Sequence, residues 1–526
     1  MTSSVPISTW APLRSPVYRM LWIAQFVSNL GTWMQTVGAQ WMLVGDPRAA
    51  VLVPLVQTAT TLPVMLLALP AGVLADLIDR RRLLIATQAA MAAGVGLLAS
   101  LTGAGLTTPT VLLTLLFMIG CGQALVMPAW QAIQPELVPV QQIPSAAALG
   151  SMSINLARVV GPAIAGALVS LTGPTLVFAL NAVSFGAIVI VLFVWRRPPA
   201  VNPPTERALS ALSAGGRFIR SSPIIRRIML RAALFVVPAS AVWGLLPVIA
   251  KDQLHLSSSG YGFLLGALGA GAVLGAFGLS RMRKWFGQNM LLTLSAVGFA
   301  IAAAAVALVH VYALVLVALV IGGMGWLLSL STLNASMQLS LPGWVRARGL
   351  SVYQLVFMGG QALGSLVWGV LAESTTTVTS LLVSAGLLLV CSLSVVWWPL
   401  HANTGNLDMT PSAHWPEPAL IFDPEPLDGP VLIVCSYRVS PDNEELFLAA
   451  MTVLGRSRQR TGAAQWRVFR SVEQESTFVE TFIVRSWGEH MQQHRTRLTE
   501  QDLLIERTVE NYTDEPPVTH HYLAVR

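Results

Sequence analysis

Twelve stretches of this chain are each apolar over about the 20 residues that a helix needs to cross roughly 30 Å of hydrocarbon. They run near 18–43, 50–75, 83–105, 109–133, 145–171, 174–195, 228–250, 260–280, 287–309, 312–337, 348–372 and 378–398. The chain is therefore read as an all-α polytopic membrane protein with 12 transmembrane helices. Composition agrees, since 54% of the 526 residues are hydrophobic and only 11% are charged. Mean hydropathy is +0.64, outside the range of soluble domains. Glycine and proline inside the spans do not count against this reading, because neighbouring helices satisfy backbone groups freed at kinks.

The charges divide the chain. Residues 1–400 hold 21 Lys/Arg against 7 Asp/Glu, whereas 401–526 hold 11 against 18, so a basic body precedes an acidic soluble tail. Nucleic acid is excluded as a partner, since the arginines lie between apolar spans rather than in a patch with aromatics. An even number of spans puts both ends on one side of the bilayer, and the excess of positive charge in cytoplasmic loops selects that side. One set of loops carries Arg80, Arg81, Arg82, Arg196, Arg197, Arg207, Arg217, Arg220, Arg226, Arg227, Arg281, Arg283, Lys284, Arg346 and Arg348, while the opposite loops offer Arg48 and Lys251. Both termini are expected in the cytoplasm. The first 17 residues hold no cleavable apolar region, so the first span is expected to serve as an uncleaved signal-anchor. Cys121, Cys391 and Cys435 follow no metal-ligand spacing and imply no disulfide framework.

The body also repeats. A long hydrophilic loop, 196–227, separates an N-terminal half (1–195) from a C-terminal half (228–400). A shift of 203 residues aligns Gly72 with Gly275, Arg80 with Arg283, Arg81 with Lys284, Gly120 and Gly122 with Gly323 and Gly325, Pro139 with Pro342, and Gly161 and Gly166 with Gly364 and Gly369. Two parallel six-helix repeats imply a pseudo-two-fold axis along the membrane normal, with a binding site between the halves near mid-membrane.

The stretch GVLADLIDRRRLL, residues 72–84, lies between two uncharged spans. It matches the pattern Gly-x-Leu-Ala-Asp-x-x-Gly-Arg-Arg/Lys at Gly72, Leu74, Ala75, Asp76, Arg80 and Arg81, with Asp79 where the pattern has glycine. With the twelve spans and the long middle loop, the chain resembles the major facilitator superfamily over about 380 residues. FVSNLGTWMQTVGAQWMLV and NLARVVGPAIAGALV are similar, more narrowly, to the branch that holds bacterial enterobactin exporters and transmembrane secretion effectors. The resemblance implies a secondary transporter, not an enzyme, in a bacterial cytoplasmic membrane. It would export a bulky siderophore-like or drug-like small molecule by alternating access, with proton coupling a family expectation. Gly72, Asp76, Arg80, Arg81 and Arg82 would form the gating motif: Gly72 allows close helix approach, and Asp76 accepts from Arg80 or from helix ends in the other half. Gly161, Pro162 and Gly166 resemble the superfamily's antiporter motif, although Ala157 and Ala165 replace two of its glycines. Helix packing alone also accounts for such small residues.

Polar side chains in apolar spans are costly and tend to face a bundle interior or a water-filled path. Gln25, Asn29, Thr32, Thr36 and Gln40 form one stripe at helical spacing, and Ser151, Asn155 and Arg158 form another. The repeat adds Gln354, Met358 and Gln361 and pairs Gln131 with Asn334. The expected substrate cavity is thus Gln25, Asn29, Thr32, Thr36, Gln131, Asn155, Arg158, Asn334, Gln354 and Gln361, with interhelical hydrogen bonding as the competing role for the amides. Arg158 is the leading contact for an anionic or polar substrate, because an uncompensated charge at mid-span is expensive. Arg231 is expected to snorkel, Trp22 and Trp41 to sit in an interfacial belt, and Trp33, Met127 and Trp130 to suit a bulky, partly aromatic ligand. None of the seven acids before residue 401 lies in the centre of a span, and no P-loop occurs, so the sequence itself shows neither a proton relay nor ATP use.

Residues 401–428 are Pro-rich and acidic and read as a linker. Residues 429–526 then read β-α-β-β-α-β, a small ferredoxin-like α+β domain resembling the antibiotic-biosynthesis monooxygenases, with a single helix through WGEHMQQHRTRLTEQDLLIERTVENY. His490 and His494 lie four apart on that helix, and without a third ligand of clear spacing they are read as a solvated face. No metal or cofactor is expected. The domain is expected to bind a ligand or to pair two chains as a homodimer. The alternative is a membrane-fused oxygenase or ligand sensor whose tail acts on, or reports, the transported compound.

Overall fold

The computed structural model describes residues 10–195, 216–400, 407–418 and 420–525. In chain order the long helices are α1 (Pro16–Leu43), α2 (Ala49–Leu77), α3 (Arg80–Gly103), α4 (Pro109–Leu137), α5 (Ile143–Thr172), α6 (Pro174–Val194), α7 (Pro223–Asp252), α8 (Ser258–Trp285), α9 (Gln288–Leu308), α10 (Tyr312–Leu339), α11 (Gly343–Ser374) and α12 (Thr377–Leu393). Among the described residues, ten of them, α2 to α11, are long and apolar enough to cross a membrane, by length and composition. The remaining two are α1, which carries the polar stripe, and α12, an apolar helix of 17 residues.

The ends fall where the sequence supplies caps. Thr108 and Thr376 accept from the backbone N–H of Val111 and Thr379 at the starts of α4 and α12. Gly173, at φ +79°, and Pro174 turn α5 into α6 within one residue. Pro247, inside α7, frees the Trp243 carbonyl four residues before it, and Gln40 Nε2 on α1 donates to that carbonyl at 3.3 Å, so a neighbouring helix satisfies the disturbed backbone.

The chain divides into two compact units. The first comprises Met1–Val201, Arg231–Thr332 and Gln354–Pro399, and the second Asn202–Leu230, Leu333–Tyr353 and Leu400–Arg526. In the first unit the 203-residue repeat reappears as packing. A Cβ at Gly161 would fall 2.8 Å from Trp33 Cβ on α1, and one at its equivalent, Gly364, 2.6 Å from the Val237 carbonyl on α7. At Gly166 a Cβ would fall 2.5 Å from the Ser258 carbonyl on α8, and at its equivalent, Gly369, 3.1 Å from Pro54 Cβ on α2. Helices 5 and 11 therefore make matched contacts inside their own halves and across to the other half. Ser258 Oγ donates to the Gly166 carbonyl at 3.0 Å, and Thr58 Oγ1 to the Ala362 carbonyl at 2.9 Å, along the same two seams. The end of the bundle holding the α1–α2 and α7–α8 turns is tied shut: Tyr261 OH donates to Gln40 Oε1 at 2.5 Å, Gln40 Nε2 to the Trp243 carbonyl at 3.3 Å, and Lys251 Nζ to the Val44 carbonyl at 3.3 Å.

Three side chains are used otherwise than expected. Arg231 does not snorkel. It is buried, and its guanidinium donates to Ser394 Oγ at 2.8 Å and to the carbonyls of Cys391 and Trp398 at 3.3 and 2.6 Å. Those acceptors lie at and beyond the end of α12, whose last carbonyls lack intrahelical partners and attract a cation. Trp22 Nε1 donates to the Leu149 carbonyl on α5 at 3.0 Å, and Trp41 stacks on Tyr261 at 5.9 Å. Both are packing contacts between helices rather than a belt.

In the second unit, β1 (Val431–Arg438), β2 (Gln465–Arg470), β3 (Thr477–Val484) and β4 (Val518–Leu523) form one antiparallel sheet in the order β2-β3-β1-β4. Helices α13 (Glu444–Thr461), α14 (Trp487–Gln492) and α15 (Glu500–Glu510) accompany it. Alternation along β1 buries Val431, Ile433, Cys435 and Tyr437, which pack with Phe447, Met451, Phe478 and Phe482. The expected single helix over 487–512 is broken. A wide π-type turn, Gln493–Arg497, runs into extended Leu498, and Thr499 starts α15 with a capping box, its N–H and Oγ1 both donating to Asp502 Oδ2 at 3.0 and 2.7 Å. Residues 407–418, expected as a plain linker, lie against this domain, with Pro411 bridging Thr499.

The seam contacts make a prediction. Gly166→Ala should cost about 1–3 kcal/mol, because backbone rather than a flexible side chain stands in the way. Gly186→Ala, where a Cβ meets nothing within 4 Å, should cost nothing. Thermal unfolding in detergent measures both, and an equal effect would refute the seam.

Candidate functional site

Inside the first unit a cation and a run of aromatic rings converge. The Arg158 guanidinium, on α5, lies 5.5 Å from the ring centre of Trp33 on α1. Trp33 approaches Trp243 on α7 at 6.0 Å, and Trp243 meets Trp326 on α10 edge-on at 5.4 Å. Phe235, Phe299 and Phe357 surround Trp326 at 5.8 to 6.0 Å. Three donors here, Arg158 Nε, Trp243 Nε1 and Trp326 Nε1, are buried and have no acceptor among the described residues. Buried donors are normally satisfied, so each of the three calls for an acceptor, from a bound molecule or from water. The ring faces add stacking and cation–π attraction.

The expected cavity residues are only partly drawn in. Gln25 Nε2 donates to Asn29 Oδ1 at 3.1 Å and Asn29 Nδ2 to Ser153 Oγ at 3.2 Å, a polar link from α1 to α5 that leaves Gln25 Oε1 buried without a donor. Thr32 and Thr36 donate back to carbonyls of their own helix at 2.9 and 3.0 Å. Gln361 Oε1 accepts from Gln57 Nε2 at 3.4 Å across the α2–α11 seam, so it acts as interhelical glue. Gln131 is exposed, Gln354 is half-buried, and half-buried Asn155 donates to the Ser151 carbonyl of its own helix at 2.9 Å. Asn334, also exposed, accepts from Gln338 at 3.3 Å. Gly161, Pro162 and Gly166 line the α5 seams described above. Trp243 and Trp326 went unread in the sequence, and their signal was position: both fall inside spans rather than at the ends, where belt tryptophans sit.

In the gating stretch, Arg80 Nη1 donates to Glu136 Oε1 on α4 at 2.9 Å. Its repeat partner Arg283 reaches the equivalent helix, α10, through the Ser331 carbonyl at 3.3 Å. Arg81 caps α6 through the carbonyls of Leu192 and Phe193 at 2.8 and 3.1 Å, and Asp79 caps α3 by accepting from the Arg82 N–H at 2.9 Å. The side chain of Asp76 lies outside the described residues, as do Arg196, Arg197, Glu206 and Arg207. Among the described residues the close approach expected at Gly72 is absent: a Cβ there meets nothing within 4 Å, whereas one at its copy Gly275 would lie 3.1 Å from Met324 Cα.

The second unit holds another site. A cavity of about 830 Å³ opens between the sheet, α14, α15 and residues 414–418 and 420–424. Arg458 lies buried beside it, donating from Nε to Glu480 at 3.2 Å and from Nη1 to Glu506, with its guanidinium 4.8 Å from the Trp415 ring centre. Burial opposes the Arg458 charge, but Glu480 and Glu506 outweigh it and hold the guanidinium firmly protonated. Burial likewise raises Glu506, but Arg458, then His414, pull it below the usual carboxylate range. Tyr437 OH and Trp466 Nε1 complete the shell of fully buried Glu480 at 2.7 and 2.8 Å. The solvated-face reading of His490 and His494 is overturned, because both are buried. Burial first, then the neighbouring imidazoles, pushes His490 down to about 3 and His494 down to about 4. Glu489, beside His490, pairs with Arg497 at 2.9 Å and with Arg217 of the helical stretch 216–221. From that stretch Phe218 also meets Trp344 edge-on at 5.7 Å.

Two repeated bundles of apolar helices around an interior cationic and aromatic site define a membrane transporter. The chain matches the family model of the transmembrane secretion effectors over residues 7–526 and belongs to that family. It is a multi-pass membrane transporter that moves a small molecule outward. The enterobactin exporter EntS of Shigella boydii serotype 4 (strain Sb227) is 27% identical over 380 residues, covering 71% of this chain and 90% of that protein. EntS of Escherichia coli O127:H6 is 28% identical over 382 residues, with the same coverage. Among solved structures, the fold is similar to the nucleoside transporter NupG at TM-score 0.54 and 14% identity, covering 73% of this chain and 98% of that one. It is also similar to a bacterial homologue of the iron transporter ferroportin in an inward-facing state, at TM-score 0.56 and 17% identity, covering 73% and 99%.

Glu506→Gln should destabilise the C-terminal domain by about 3–5 kcal/mol at neutral pH, because it leaves Arg458 short of one buried partner. The wild-type contribution is present above the unfolded carboxyl value, about 4.3, and is lost as pH falls through the lower folded value. Protease susceptibility of the domain in the full chain, measured from pH 7 to pH 3, should show this loss in the wild type and a flatter profile in the variant.

Proposed function

We propose that this protein exports a bulky, oxygen-rich aromatic small molecule of siderophore-like kind across the bacterial inner membrane by alternating access. The observation that carries the reading is the group of three buried donors without acceptors set among the rings of Trp33, Trp243 and Trp326. Catechol-like or carboxylate oxygens would satisfy the donors, and aromatic rings would stack on the indoles. The names of the enterobactin exporters point to the same class of cargo. Twelve spans, both termini and the tail on the cytoplasmic side follow from the arginine-bearing loops. On that topology the end tied by Gln40 and Tyr261 is the outer one, so this conformation is closed to the outside. Asp76, Arg80, Arg81 and Arg82 form a charge latch for the opposite end, and proton coupling is the family's expected drive.

The tail is a ferredoxin-like module that binds a ligand rather than catalysing a reaction; the sheet order β2-β3-β1-β4 supports the fold. Exposed Phe469 on edge strand β2 and Val518 and Tyr522 on edge strand β4 support pairing of two chains through it.

Uptake of a catecholate into inverted vesicles tests the site. Arg158→Ala should weaken apparent affinity about tenfold or more, the scale of a lost hydrogen bond to a charged group. Trp243→Phe, which keeps a ring but deletes the donor, should weaken it less. Unchanged affinity in both variants would remove the site. Asp76→Asn should lower the rate with little change in affinity, and a pure affinity loss would reject the latch.

A further inference from the structure

His490 and His494 stand one turn apart on the run from α14 into the π-type turn, and His521 comes from β4. Register explains the third histidine. His521 pairs with Ile433, and Thr519 and Leu523 with Cys435 and Val431, so alternation turns His521 to the buried face of the sheet and neighbouring His520 to the other. One ligand nitrogen from each of the three lies within 4.8 Å of the others. His490 Nε2 and His494 Nε2 are 3.2 Å apart. Zinc–imidazole bonds of roughly 2.0–2.1 Å at tetrahedral angles separate their nitrogens by about 3.3 Å, so this spacing is already that of one edge of a coordination shell.

The surroundings orient the ring of His490 as a metal requires. Gln493 Nε2 donates to Thr461 Oγ1 at 3.2 Å, which turns Gln493 Oε1 toward His490 Nδ1, also at 3.2 Å. An Nδ1–H donated there leaves the Nε2 lone pair of His490 facing His494. A second hydrogen bond of this kind fixes the tautomer of metal-bound histidines. The same three histidines border the 830 Å³ cavity, so a fourth position opens onto space large enough for a small molecule.

We propose that His490, His494 and His521 hold a divalent first-row transition metal of the zinc or iron(II) class, with an exchangeable coordination position facing the cavity. Three imidazoles suit such ions rather than calcium or magnesium, which take oxygen ligands. Three protein ligands with one open position form a site that can bind an oxygen-donor ligand on the metal.

The test uses the full chain in detergent, purified without a polyhistidine tag, stripped with chelator and titrated with Co²⁺. The wild type should take up one equivalent, develop visible absorption bands of a four- or five-coordinate ion, and unfold at higher temperature when loaded. His494→Ala and His521→Ala should each weaken binding at least tenfold, and Gln493→Leu, which spares every ligand, about 10- to 100-fold. His520→Ala, on the opposite face of β4, should bind as the wild type does. If a ligand variant fails to fold by circular dichroism, the wild-type spectrum and the Gln493→Leu and His520→Ala pair still decide. A wild type with neither bands nor a stoichiometric equivalent overturns the proposal. So does binding that survives both ligand variants or falls equally in His520→Ala.

Discussion

Backbone meets backbone where α5 crosses α8, Gly369 of α11 lies against the Pro54 ring of α2, and the membrane body depends on those two seams. Gly166 opposes Ser258 and Gly262 at distances that leave no room for a Cβ, and Gly369 opposes Pro54 at a distance where a Cβ would be tight. In lipid no hydrophobic force drives helices together, so close packing and interhelical hydrogen bonds must hold them. The pairs Ser258–Gly166 and Thr58–Ala362 supply those bonds along the same lines. Because the two seams are related by the repeat, they can open and close together, and the ring contact between Trp33 and Trp243 lies across the boundary that would move.

Charge is rationed in the same way in both units: where it is buried, it has a stated occupation. Arg231 caps the end of α12, Arg81 the end of α6, and Arg458 sits among Glu480, Glu506 and the Trp415 ring. Arg158 is the exception, with a ring beneath it and Nε lacking an acceptor. An arginine left in that condition within an apolar span is costly unless a ligand completes it. In the tail, the acid that neighbours His490 is also the one that grips Arg217, so the histidine cluster and the stretch 216–221 share a connection through Glu489.

Much of this was legible in the sequence, and the parts that were not share a cause. Ten of the twelve expected spans and the 203-residue offset could be read because helix length and small-residue spacing are local, and the offset reappears in which helix each glycine touches. The four strands of the tail followed from alternation. What failed was anything decided by a distant partner. Trp22 and Trp41 looked interfacial until α5 and Tyr261 supplied their contacts. Arg231 looked free to snorkel until the carbonyls at the end of α12 arrived beside it. His490 and His494 lacked a third ligand because His521 lies 27 positions beyond His494, brought in by sheet register. The break at Leu498 did have a local signal, the Thr499-to-Asp502 capping box, which a continuous helical period obscured.

The central claim is that the Gln40–Tyr261 end must open for cargo to leave. Cysteines placed at positions 40 and 261, in a chain freed of Cys121, Cys391 and Cys435, and joined by a short thiol-cleavable bridge, test it directly. Cargo uptake into inverted vesicles should stop when the bridge forms and return when it is reduced. Full uptake with the bridge in place would contradict the account.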